Sequence, residues 1–427
     1  MRGRRVILIH SLVAAVLLTA LAGQRGTPSA RAGSGTRTAP KITLTLWYWN
    51  RSIDDAVIAQ VDKEFPTISL QAEKIGGNYN AKLRTTLAGQ TDVPDIVGLN
   101  SDVSTFFPDE SQFVNLLDEG AGAVKSQYLG WKWQQGIAPD GKMIAFPMDT
   151  GPTALFYRAD LFKKAGLPTD PRQVAALMST WNAYFQAGKK LQAALPKAHM
   201  LDSLYFTVFN QVMAQSATQY ENKVGRFIGD QAPVQRAWNL AVAAHDMGLS
   251  AKSAAFTTDW NAAISDGAIA SFVGAVWMKA ILQDAALTTA GAWRVARAPG
   301  GAGNQGGSFL AVTKYSQHPK EAFAVVKWLE SPRNQLRAYV DLALFPSTPS
   351  AYSSPAMNHA EPFYGGQNTT PVFALSAKNV KPAYYGADYD IINAIFEQDI
   401  INIDTLNEGS QQAWHDTQHE VQRELSH

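Results

Sequence analysis

The 427-residue chain contains no cysteine. That excludes disulfides, thiolate metal sites and a cysteine nucleophile. It also excludes an N-terminal lipid anchor, since Leu21-Ala22-Gly23-Gln24 resembles a lipoprotein cleavage box with Gln where the lipidated Cys belongs. Runs of basic residues are missing too, which argues against nucleic acid as a ligand. Long apolar runs are scarce. The one from Val6 to Gly23 follows Arg2, Arg4 and Arg5 and precedes Ala30-Arg31-Ala32, small residues at the positions a signal peptidase reads. A retained membrane anchor is the competing reading, weakened by His10, Ser11 and the polar stretch through Pro40. Residues 1–32 are therefore expected to be a signal peptide, with 33–41 a flexible linker.

The first 32 residues hold five Arg and no acid, so without them 32 Lys+Arg face 36 Asp+Glu. The whole-chain charge of +1 thus hides a mildly acidic exported protein. A chain of this size accommodates about two domains, each with its own core. The expected location is periplasmic or extracellular.

What the chain does have is a βαβαβ opening. Ile42–Trp47 alternates as a strand, Asn50 and Asp54 introduce a helix running to Phe65, Ile68–Ala72 is a second strand, Tyr79–Ala88 a helix, and Pro94–Leu99 a buried strand. This predicts an α/β fold with a parallel sheet. Ligands of such sheets gather at loops after the strands' carboxyl ends, here Tyr48–Arg51 and Asn100–Ser104. From Gly141 to Gly166 two apolar strands, Met143–Phe146 and Ala154–Tyr157, flank Pro147, Gly151 and Pro152, which forbid one continuous strand. Asp149 and Thr150 occupy that bend. Helical periodicity dominates 172–252. Trp293–Ala298 and Phe309–Thr313 read as strands around a Gly-rich stretch, Pro319–Glu330 is an amphipathic helix, 343–373 is irregular, and helices return from Tyr389. No internal repeat is present.

Four segments carry a family resemblance. They are ITLTLWYW with Asp95-Ile96-Val97; Gly141-Lys142 through Phe146-Pro147 to the Phe156-Tyr157-Arg158-Ala159-Asp160-Leu161-Phe162 run; Trp260 with Asp266-Gly267-Ala268-Ile269-Ala270 and Gly274-Ala275-Val276-Trp277; and Trp293-Arg294-Val295 through Gly306-Gly307 to Lys327-Trp328-Leu329. In this order the chain, from 42 to about 405, resembles the extracellular solute-binding proteins of family 1, the maltose-binding-protein-like carbohydrate subunits of ATP-binding-cassette (ABC) importers. The resemblance implies a two-lobed periplasmic-binding-protein fold of type II, α/β throughout, with hinge strands near Asp149, Gly307 and Phe345-Pro346. The expected lobes are 42–149 with 308–346, and 150–307 with 347–427. It also implies an oligosaccharide ligand, membrane permease subunits of an ABC importer as partners, a monomer, no catalytic residue, no cofactor and no metal.

A pyranose needs flat aromatic surface for its apolar face and paired donors and acceptors for its hydroxyls. Trp277 is the leading candidate, its matching Trp in the maltose-binding relatives stacking on sugar; a core Trp after a buried strand is the alternative. Trp49 and Asn50 follow the first strand, although Trp47 and Trp49 share a face and either could be core. Asn100, Ser101 and Asp102 follow the third strand, with Asp102 equally able to cap the next helix. Asp149 offers a charged acceptor in the hinge, in a Met148-Asp149-Thr150-Gly151-Pro152 sequence where many relatives have Trp for Met148. Gly307 and Ser308 lie at the return crossing, and Tyr384 and Tyr385 match a region that supplies an aromatic in relatives.

Three patterns are set aside. Gly301–Gly306 satisfies G-x-G-x-x-G but precedes a strand rather than a helix. His415-Asp416-Thr417-Gln418-His419 lacks the Glu and third ligand of a zinc protease. An iron site at Tyr384-Tyr385 lacks evident carboxylate or His partners. The competing functions are a secreted carbohydrate-active hydrolase using Asp149 and Asp102, and a same-fold receptor for glycerol phosphate, polyamine or iron.

Overall fold

A computed structural model describes residues 41–426. The expected signal peptide and all of the linker but Lys41 lie outside the described residues. Among the described residues ten strands form two main sheets and a ribbon. They are β1 (Ile42–Tyr48), β2 (Ile68–Lys74), β3 (Ile96–Leu99), β4 (Phe146–Pro147), β5 (Asp149–Thr150), β6 (Thr153–Arg158), β7 (Ser271–Ala275), β8 (Trp293–Ala296), β9 (Phe309–Val312) and β10 (Phe345–Pro346).

The first sheet has the order β2-β1-β3-β9-β4. β1 pairs in parallel with β2 and β3, as the opening alternation predicts. The sheet is mixed rather than parallel throughout, because β9 is antiparallel to both β3 and β4. The cause is topological: β9 re-enters the sheet after the long excursion through β6–β8, so it runs back along the strands that led out. Strand alternation divides the core between two faces. Leu44, Leu46, Ile96, Leu310 and Val312 pack with Phe323 and Val326 of the helix Pro319–Leu329. Val97, Leu99, Phe309 and Ala311 pack with Leu83 and Leu87 of the helix Tyr79–Gly89. That helix starts where the Asn78 side chain accepts from Ala81 N–H at 3.0 Å, and ends at Gln90 in the left-handed region.

The second sheet is antiparallel, in the order β7-β6-β8. All six residues of β6 are buried, since helices cover both faces. Leu155 and Tyr157 face one cluster, Ala154 and Phe156 the other, where Phe156 stacks on Phe272 at 4.8 Å. The expected single helix from Asp54 to Phe65 is two short ones, Asp55–Ile58 and Val61–Glu64. Of the expected strand Met143–Phe146 only Phe146 joins a ladder, together with Pro147. The stretch expected to be irregular gives way to a helix at Thr370–Asn379, opened by Pro371 in its first turn. Among the described residues no helix is long and apolar enough to cross a membrane.

Between the sheets, β5 and β10 form a two-strand antiparallel ribbon, with Thr150 opposite Phe345 and Asp149 opposite Pro346. Gly307 runs against this ribbon. A Cβ there would come within 2.9 Å of the Thr150 backbone, so only glycine fits, and its φ of +84° suits glycine as well. Three chain segments distant in sequence thus cross side by side.

Candidate functional site

Beside this crossing is a cavity of about 370 Å³, within the range of small-ligand sites. One wall comes from the carboxyl end of β3: Asn100, Ser101 and Asp102, with Asn80. The opposite wall comes from four segments. They contribute Tyr205 and Asn210; Trp277; Asn304, Gln305 and Gly306; and Tyr385, Tyr389 and Asp390. Larger hollows exist, such as one of about 410 Å³ beside Thr153, Arg297 and Leu375. Its lining comes wholly from residues 153–379 and includes no carboxylate, so the cleft is the better candidate on chemistry.

Trp277 follows β7 directly and precedes the helix Met278–Ala285, which holds its indole partly exposed at the cavity wall. Its N–H donates to the Gln305 carbonyl at 3.0 Å, and its ring lies 6.0 Å from that of Phe256. The loop carrying Gln305 is itself tied down. Asn304 accepts from Gly151 N–H at 2.8 Å, and Gln305 N–H donates to the Gly151 carbonyl at 2.9 Å. A Cβ on Gly151 would fall 1.8 Å from that Gln305 oxygen, so the hinge glycine is required by the site loop. The Gln305 side chain accepts from Gln211 at 2.8 Å.

Across the cleft, Gln135 donates to the Ser101 carbonyl at 2.8 Å and fixes the loop after β3. Asp102 stands at the start of the turn Val103–Gln112, yet its side chain makes no capping bond, and Oδ1 is buried without a partner. Burial first, and then the Asp390 carboxylate, push its carboxyl up to about 6, against the pull of Arg84. The walls meet where Tyr385 N–H donates to the Ser104 hydroxyl at 3.0 Å. Tyr385 is buried, its ring 4.7 Å from Tyr389 and near perpendicular to it. Burial raises its phenol to about 12.

Of the residues the sequence singled out, the cavity brings together Trp277, Asn100, Ser101, Asp102 and Tyr385. Trp49, Asn50, Asp149 and Ser308 do not line it. Trp49 packs sideways into the first sheet, 5.0 Å from Tyr79 and against Gly98, where a Cβ would sit 2.7 Å from the indole. Asn50 is exposed in the turn before Arg51. Asp149 points its Oδ1 into the protein, out of solvent and without a hydrogen-bond partner. Its surroundings are the Lys132 ammonium, the Glu330 carboxyl and Ser308. Lys132 is fully buried, 3.5 Å from the Phe309 ring centroid, and burial lowers its amine to about 7. Desolvation raises Asp149, and raises Glu330 well above the ordinary range. The two carboxylates a hydrolase would use, Asp102 and Asp149, therefore do not share the cavity.

Sequence reasoning missed Tyr205, Asn210, Gln305 and Asp390. Asn304-Gln305, two amides between glycines, was the available signal for the loop. Two of the set-aside patterns are accounted for by the fold: Gly301–Gly306 is a loop entering β9, and His415 and His419 are exposed on the helix Ser410–Glu424.

The sequence model for bacterial extracellular solute-binding proteins matches residues 49–336, which include β2, β3, β5 and Trp277. The chain belongs to this family. Among solute-binding proteins, a lactose-binding protein of Rhizobium radiobacter is 25% identical over 373 residues, 80% of this chain and 84% of its own. A solved extracellular solute-binding protein of family 1 superposes with a TM-score of 0.85 at 30% identity, covering 90% of this chain and 99% of the other. The galacto-N-biose/lacto-N-biose I-binding protein of Bifidobacterium longum, solved with lacto-N-biose, gives 0.75 at 20% identity, covering 91% and 98%. These proteins share the two-domain α/β architecture.

Proposed function

We propose that this solute-binding protein is an extracytoplasmic carbohydrate receptor that delivers an oligosaccharide to the permease subunits of an ABC importer. The observation that carries the reading is the cleft cavity. Trp277 and Tyr385 supply aromatic surface, while Asn100, Asn210, Gln305 and Asp102 supply the donors and acceptors a ring of hydroxyls requires. The similarity to a lactose-binding protein supports a disaccharide-sized ligand. Among the described residues no Lys or Arg lines the cavity, which disfavours glycerol phosphate or another anionic solute.

In this reading the lobes are 42–149 with 308–346, and 150–307 with 347–427, exported by residues 1–32. The protein acts as a monomer, and sugar binding biases an open–closed equilibrium that the permease senses. The meeting of β5, β10 and Gly307 supports these crossing points. Thermal-shift screening against lactose, maltose, cellobiose and xylobiose tests the function: a raised melting temperature with at least one sugar is expected, and no response to any would overturn it.

A further inference from the structure

Building on the carbohydrate reading, we propose that the cleft takes a sugar bearing a protonated amine, its ammonium held between Asp102 on one wall and Asp390 on the other. The two carboxylates belong to segments far apart in the chain. Asp102 ends β3's loop, and Asp390 lies in the first turn of the helix Tyr389–Leu406. Both line the same cavity. The Tyr385–Ser104 bond holds these two walls together beside them.

Three observations set this pair apart from a plain acidic surface. Asp102 is only 7% exposed, and its Oδ1 has no hydrogen-bond partner although a capping role was open to it. Among the described residues no basic one lines the cavity. Arg84, the cation felt by Asp102, is committed elsewhere: Nη2 donates to the Thr105 hydroxyl at 2.6 Å, and the guanidinium lies 4.3 Å from the Phe106 ring. A dehydrated carboxylate that lines one cavity with a second one needs a counter-charge more than it needs another neutral donor. Sugar hydroxyls fill lone pairs but leave the charge. An ammonium does both, with three N–H donors, and the rings of Tyr205, Trp277 and Tyr389 around the cavity favour a cation further.

The test is calorimetric titration of the full chain at pH 6 with the β-1,4-linked glucosamine disaccharide, its N-acetylated counterpart, lactose and spermidine. The amine disaccharide is expected to bind at least about tenfold tighter than its acetylated form, roughly one charge-assisted contact. That ratio should collapse towards one in Asp102→Asn and in Asp390→Asn. Equal affinity for the two disaccharides, or a ratio untouched by both substitutions, overturns the ammonium assignment even if lactose binds. Spermidine binding as tightly as the amine disaccharide overturns the sugar half. Silence from every sugar means that the carbohydrate reading has failed, and this proposal with it.

Discussion

Thr150 and Phe345, 195 residues apart, are register partners in the β5–β10 ribbon, and the Thr150 hydroxyl donates to the Phe345 carbonyl at 3.2 Å. The bond is fully buried. It joins β5 to β10, so it belongs to the ribbon rather than to either sheet. Thr150→Val keeps the shape and removes the donor. It should lower unfolding free energy by about 1–2 kcal/mol, the cost of an unpaired buried carbonyl. Urea denaturation of the unliganded protein checks this; unchanged stability would mean the bond contributes nothing.

Asp149 was read from sequence as a ligand contact, and its inward orientation changes the expectation. Asp149→Ala strips Lys132 of a buried counter-charge and should cost on the order of 3 kcal/mol. Sugar affinity should move by less than about threefold, under 1 kcal/mol. Denaturation and titration of the same variant separate the two effects. A large loss of affinity at intact stability would restore the carboxylate to the site.

Lys279, in the first turn of the helix that follows Trp277, forms a buried ion pair with Glu361 at 2.6 Å. Thr369 bridges both: its hydroxyl accepts from Lys279 at 2.9 Å and donates to Glu361. Lys279→Met leaves a buried carboxylate without its cation and should destabilise by about 3–5 kcal/mol. Replacing both partners, as Lys279→Met with Glu361→Gln, should recover much of that loss. A double-mutant cycle by urea denaturation measures it, and additive effects would contradict the pairing.

The Asp102 carboxyl titrates near 6 in the fold, against an ordinary 3.8. The folded state therefore holds more protons than the unfolded chain between those values. Its contribution to stability is greatest below about 4 and is lost as pH rises through about 6. Asp390, Arg84, Tyr385 and Tyr389 are the charged or titratable groups around it. Asp202, buried among Thr207 and Trp260, titrates in the same direction, so the wild-type profile alone does not isolate Asp102. The difference does: the melting temperature of Asp102→Asn should gain on wild type by about 2–4 °C between pH 4 and pH 7.5. A constant offset across that range would contradict the shift.

Much of the fold was legible because period two shows directly in Ile42–Trp47, and because Ala154–Tyr157 is a short, wholly apolar run bounded by chain breakers. The position of Asn100 and Asp102 was legible for a topological reason, the end of a parallel strand. Other features depend on facts a local pattern does not carry. Whether β9 runs with or against β3 is decided by an excursion of some two hundred residues. Which way Asp149 points depends on a two-residue strand between a proline and a glycine, too short for alternation to fix a face. Trp49 obeys its alternation with Trp47 yet is consumed by Tyr79 and Gly98, neighbours from the next helix and strand. Gln305 enters the site only because Gly151 holds its loop, and Tyr205 and Asp390 arrive on helices whose own periodicity speaks of core.

The most direct measurement is calorimetric titration of Trp277→Ala with whichever sugar raises the melting temperature of the wild type. Stacking surface at the cavity wall predicts at least about a tenfold loss of affinity, with Trp277→Phe recovering part of it and the unliganded fold intact by circular dichroism. Wild-type affinity in Trp277→Ala would contradict the cleft as the place where this receptor holds its sugar.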